Sequence, residues 1–181
     1  IITVDDIIDV MEEEASEDLY KLAGSSEHER DVAENQNATQ FQQVTSSVRA
    51  RIPWLIIILI MGLLSTILLT KLNFIGYDSI YVKVLIFLPV ILCLGGGIGM
   101  QSSSITIMTL SNKDVVSTNN ILKEVLVGLI TGTVCGLIGG IGTYIIINDN
   151  KVALLVGVSI LINMIFGATI GAFVPNLLKK L

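Results

Sequence analysis

Val4, Ile7, Ile8, Met11, Ala15, Leu19 and Leu22 recur at steps of three and four residues, with carboxylates between them. That period predicts an amphipathic helix over 1–24 closed by Gly24, with Asp5 and Asp6 near the positive end of its dipole. From Ser25 the apolar period lapses into a stretch rich in Ser, Gln, Asn, Thr and Glu, so 25–48 reads as a polar linker or a weakly ordered helix. The pattern then turns from periodic to continuous. Residues 52–70 are almost wholly apolar and follow Arg49, Arg51, Pro53 and Trp54, with basic groups and an indole at headgroup level. A run of about twenty such residues is long enough to cross the hydrocarbon core. Further runs at about 80–110, 121–147 and 152–178 complete a transmembrane domain over 49–181. The fold class is therefore all-α, a polytopic membrane helical bundle of about four spans behind an acidic amphipathic helix.

The second run holds Pro89 and the cluster Gly95, Gly96, Gly97 and Gly99, and it is expected to break near 93–99. Non-helical backbone at membrane depth survives only where protein or a water-lined cavity satisfies it. The adjoining Gln101, Ser102, Ser103 and Ser104 add hydrogen-bonding side chains, so this stretch is the candidate ion pathway. Broken helices expose carbonyl oxygens, which suit hard cations. The third run carries Gly128, Gly132, Gly136 and Gly140, one glycine at every fourth position, and the fourth run has Gly167 and Gly171. Such rows let neighbouring backbones approach closely. Tight packing is the expected use, and sliding during gating is the alternative. Asn163, in the middle of the fourth run, is expected to make a hydrogen bond between helices.

Charge divides the chain. Residues 1–34 hold twelve of the sixteen acidic residues against Lys21 and Arg30, and the remainder carries nine basic residues and four acids. An acidic front segment disfavours nucleic acid and suits metal cations or basic partners. With the N-terminal segment cytosolic and four spans, Arg49, Arg51, Lys113, Lys123, Lys179 and Lys180 fall inside, and Lys71, Lys83 and Lys151 outside. That bias agrees with the positive-inside tendency. The spans themselves are expected to hold almost no buried charge. Cys93 and Cys135 read as small buried hydrophobes, and His28 as a surface residue. There is no signal-peptide pattern, and a chain opening on Ile1 is expected to be a piece of something longer. The run Gly95 to Gly99 is no dinucleotide fingerprint, and neither a phosphate-binding loop nor a nucleophile-base pair is visible, so enzymatic activity is not expected.

Four separated motifs resemble the MgtE magnesium transporter-channels. Thr3 to Val10 followed by Glu12 to Asp18 is similar to that family's passage from its second CBS domain into a connecting plug helix. Arg49-Ala50-Arg51-Ile52-Pro53-Trp54 resembles the start of its first membrane helix, Pro89 to Ser103 its glycine-rich pore segment, and Gly167 to Pro175 its fourth helix. The resemblance implies a homodimer in the cytoplasmic membrane, with an ion path between subunits and Mg2+ as both transported and regulatory ion. It implies that Asp6, Asp9, Glu14, Glu17 and Asp18 sense intracellular magnesium, and that Gly95, Gly96, Gly97, Gly99, Met100, Gln101 and Ser102 line the pathway. Lipid is then the surrounding partner. The family's usual Gly-Gly-Asn reads Gly95-Gly96-Gly97 here, and Met100 replaces a small polar residue, so relaxed selectivity toward other divalent cations is one alternative. A non-transporting membrane partner is another. The family's fifth helix, with its intramembrane aspartate, has no counterpart before Leu181, so this stretch alone is not expected to conduct.

Overall fold

The computed structural model describes residues 39–71, 80–112 and 118–179, together with nine positions between Val4 and Lys21; for 111–112 and 118–120 it describes the backbone alone. The described residues contain helices and no strand. All nine early positions are helical and exposed, Glu14 and Asp18 among them. Asp6, Asp9 and Glu17 lie outside the described residues, as does the linker before Thr39.

Helix α1 runs from Gln40 to Lys71, 32 residues or about 48 Å. Its start is a reciprocal cap. The Gln42 amide donates to Thr39 Oγ1 at 3.4 Å, and the Thr39 amide donates to Gln42 Oε1 at 3.0 Å. A short α2 (Ile80–Leu85) leads through a turn at Ile86 and Phe87 into α3 (Leu88–Asn112). Helices α4 (Thr118–Ile147) and α5 (Asn150–Leu178) form a tight antiparallel hairpin. Asn148 turns the chain with φ of 54°, and Asp149 caps α5 by accepting from the Lys151 amide at 3.0 Å. Four of these helices, α1, α3, α4 and α5, are long and apolar enough to cross a membrane.

The second run departs from expectation. Its interruption falls at Ile86 and Phe87, ahead of Pro89, while Gly95, Gly96, Gly97 and Gly99 continue unbroken within α3. Pro89 sits in the first turn of α3, where its missing N–H costs nothing. Gly95, Gly97 and Gly99 serve close approach instead of a break. A Cβ on Gly99 would lie 3.1 Å from the Gly167 carbonyl oxygen, and one on Gly167 would run into the Gly95 carbonyl. On its other flank, α5 meets the glycine row of α4. A Cβ on Gly136 would stand 2.7 Å from Gly157 O, and one on Gly132 would stand 3.2 Å from Leu161 O. The packing expected of both glycine rows is therefore present, and α5 is the central helix. Asn163 makes its expected bridge, donating from Nδ2 to Ile91 O at 2.5 Å. Leu55, Leu59, Val90, Leu94, Ile98, Val156, Ile160 and Met164 fill the interior between the helices.

Candidate functional site

Helix α3 is enclosed on two flanks and open on a third. Toward α5 it turns Gly95, Gly99, Ser102 and Thr106; Ser102 Oγ donates to Ala168 O at 2.8 Å, and Thr106 Oγ1 donates to Ser102 O at 2.7 Å. Toward α1 it turns Val90, whose Cα lies 3.1 Å from a Cβ built on Gly62, and Gly97, whose own Cβ would meet Ile58 Cδ1 at 3.0 Å. The third flank carries Leu92, Cys93, Gly96, Met100 and Ile107, all exposed, with Ser103 and Ser104 half-buried at its margins. At 100° per residue these positions span a single arc. Met100 is 69% exposed, and a Cβ on Gly96 would touch nothing within 4 Å.

The candidate pathway residues are thus distributed rather than gathered. Gly96 and Met100 lie on the open flank. Gly95 and Gly99 belong to the α5 seam and Gly97 to the α1 contact, while Gln101 and Ser102 are buried inside the bundle. In an unbroken helix neighbouring positions point about 100° apart, so a run of seven cannot face one channel. Among the described residues, no three His, Cys, Asp or Glu side chains converge to hold a bare metal ion. Oxygen donors near the open flank are main-chain carbonyls and the hydroxyls of Ser103 and Ser104. These fit a cation that keeps its water shell.

A second polar feature lies at the end of the bundle where α1 begins. Arg51 Nη1 donates to Glu124 Oε2 at 2.7 Å, and Nη2 donates to Glu124 Oε1 at 3.0 Å, a bidentate pair between α1 and α4. Both residues are buried, at 0% and 2% exposure, and Lys123 beside them is 7% exposed. The expectation of a nearly charge-free membrane part fails here. A basic residue ahead of an apolar run ordinarily snorkels to the headgroups, whereas a carboxylate from a distant helix pairs with this one inside. At the same end Lys179 Nζ donates to Leu110 O at 2.6 Å, a cation on the last carbonyls of α3. At the opposite end Lys83 Nζ meets Asp149 Oδ2 at 3.4 Å. Desolvation there pushes the Asp149 carboxyl up, but the Lys151 amide, the Lys83 ammonium and the Val152 amide outweigh it and hold the group below 3.8.

A groove of about 430 Å³ between α4 and α5, lined by Thr133, Leu137, Tyr144, Ala153, Val158 and Leu161 among others, carries no ionisable carboxylate and lies away from the open flank of α3.

Residues 88–181 match the sequence profile of the MgtE family, described as divalent cation transporters. The whole chain is similar to the magnesium transporter MgtE of Enterococcus faecalis, 32% identical over 187 residues, and to that of Thermus thermophilus, 32% identical over 190. It is also similar to the magnesium transporter MgtE of Bacillus subtilis, 30% identical over 186 residues. The chain spans 38%, 39% and 38% of the length of these three relatives. No solved structure matches it.

Proposed function

Because the chain belongs to the MgtE family of divalent cation transporters, we propose that it forms the membrane path of a magnesium transporter, with the open flank of α3 as its wall. The open flank is the observation that supports this reading. The other flanks of α3 pack against α5 through main-chain contacts and against α1 at Val90 and Gly97, which leaves Gly96, Met100, Ser103 and Ser104 as the surface available to an ion. Two copies placed with these flanks facing would enclose a passage between subunits. Magnesium sheds its inner water reluctantly, so passage as a hydrated ion through outer-shell hydrogen bonds to carbonyl and hydroxyl oxygens is the cheaper route.

The N-terminal segment is cytosolic on this reading, and transport is passive uptake across the cytoplasmic membrane. Asp6, Asp9, Glu14, Glu17 and Asp18 act as the intracellular sensor. When magnesium is scarce these carboxylates repel one another. When it is plentiful the ion bridges them and shifts the population toward the closed state.

Cys93 supplies the test, because it shares the open flank with Gly96 and Met100, whereas Cys135 is buried. A charged, membrane-impermeant methanethiosulfonate should block magnesium flux through the full-length protein in liposomes. Magnesium should slow the block, and Cys93→Ala should remove it. A reagent that leaves flux unchanged while labelling Cys93 would show that the flank does not border the ion path. Competition by manganese and calcium in the same liposomes measures selectivity.

A further inference from the structure

Helix α1 carries the chain from its N-terminal segment into the bundle, yet it is held there by a narrow stripe. Val44, Ser47, Arg51, Leu55, Leu59, Gly62 and Thr66 are buried at steps of three and four, with Ser46 buried beside them and Ile58 and Leu63 half-buried at the margins, while Trp54, Ile57, Ile60, Met61, Leu64 and Leu68 are exposed. Between helices in lipid, apolar side chains gain no hydrophobic free energy by exchanging acyl chains for a neighbour. The apolar part of the stripe therefore sets the angle and height of α1 only through packing. Arg51 differs. Its planar fork meets Glu124 at 2.7 Å and 3.0 Å, fully buried, and such a pair is directional. Two residues further on, Pro53 has no N–H to give the Arg49 carbonyl and crowds it, which makes this turn of α1 a ready bending point. The most directional contact of α1 and its weakest turn coincide.

We propose that the Arg51–Glu124 pair pins α1 to α4 at this proline joint, so that displacement of the N-terminal segment is delivered to the bundle instead of being absorbed by bending at Pro53. From α4 the displacement reaches α5 through the glycine seam, and from α5 it reaches α3, where Ser102 holds the Ala168 carbonyl. Arg51 and Glu124 are positioning residues that touch no ion. The inference rests on the reading that intracellular magnesium gates the path through the N-terminal carboxylates, and it names the part that carries the signal inward.

The experiment uses the full-length protein in liposomes and two readouts. The first is magnesium flux as internal magnesium is raised. The second is the distance between spin labels at Phe41 and Leu68, on either side of the joint and about 40 Å apart along the helix, in a cysteine-free background. Glu124→Gln breaks the pair; Arg51→Met with Glu124→Met removes both charges, so that neither is left alone in the interior. In both variants the maximal flux per folded protein should stay within about twofold of the parent. The internal magnesium giving half-inhibition should rise at least about tenfold, and the label distances should broaden. Adding Pro53→Ala to the double variant restores the missing backbone bond and should return both readouts toward the parent.

Variants that lose flux only in proportion to folded protein, with half-inhibition unchanged, would reduce the pair to a structural contact and overturn the proposal. A failure of Pro53→Ala to rescue also overturns it, since the joint would then be irrelevant. A parent protein whose flux ignores internal magnesium overturns the gating reading and this inference together. A gated parent with variants that behave identically overturns this inference alone.

Discussion

Replacing Gly136 by alanine tests the seam between α4 and α5. An ideal Cβ on Gly136 stands 2.7 Å from Gly157 O, and one on Gly157 stands 2.8 Å from Gly136 O, so each backbone fits into the gap left by the other's missing side chain. Ordinary contact begins at 3.4 Å, so the two helices would have to part by about 0.7 Å at this level. The obstacle is a main-chain carbonyl, which cannot rotate aside. The separation would also loosen the contacts at Gly132 with Leu161 O and at Gly140 with Ala153 O, at 3.2 Å and 3.3 Å. Overpacking of this kind costs about 1–3 kcal/mol. Alanine recovers about 1 kcal/mol of helix propensity, so the net loss should lie between about zero and about 2 kcal/mol. Gly96→Ala is the matched control. Its Cβ meets nothing within 4 Å, so only the propensity term acts and the variant should gain about 0.5–1 kcal/mol. Reversible unfolding in mixed micelles, followed by circular dichroism and by the single tryptophan, Trp54, measures both. Opposite signs for the two substitutions are expected. A Gly136→Ala protein stabilised as much as Gly96→Ala would refute the idea that main-chain contact sets the spacing of α4 and α5.

Breaking the buried ion pair by Glu124→Gln should cost about 3–5 kcal/mol in the same unfolding assay, whereas Arg51→Met with Glu124→Met should be near neutral. Equal losses in the two would show that the charges are compensated by groups other than each other. Asp149 is held below 3.8, so its carboxylate adds stability that is fully present above that value and disappears as the pH falls through its lowered folded pKa. Asp149→Asn keeps the cap on α5 but should flatten this acid limb, measured as unfolding midpoints from about pH 6 to about pH 2. In thiol labelling of the folded protein Cys93 should react, while Cys135 should react only after unfolding, as peptide mass spectrometry will read.

What the sequence made legible follows from the range over which each signal acts. The spans could be read because continuous apolar runs are local, and α4 and α5 lie within about three residues of the expected limits. The row Gly128 to Gly140 was legible as a packing surface because its four-residue period needs no knowledge of the partner. The behaviour of Gly95, Gly97 and Gly99 was not. Whether a glycine breaks a helix or admits a neighbour depends on what faces it, and here that is Gly167 and Gly171 on α5 and Ile58 on α1. Arg51 posed the same difficulty. Its partner stands 73 residues away, and alone before an apolar run it has the pattern of a headgroup anchor. Of the candidate pathway, the segment was legible. The choice of Gly96 and Met100 over Gln101 and Ser102 required knowing which arc of α3 its neighbours occupy.

The central place of α5 constrains any motion of the membrane part. Its two flanks interlock with α3 and α4 through carbonyl oxygens set into glycine notches, so sliding either neighbour along it would drive main chain against main chain. These three helices therefore move as one rigid block. Widening a passage would come from tilting whole blocks apart, with α1 carried along by its pinned joint, and not from shear within the block.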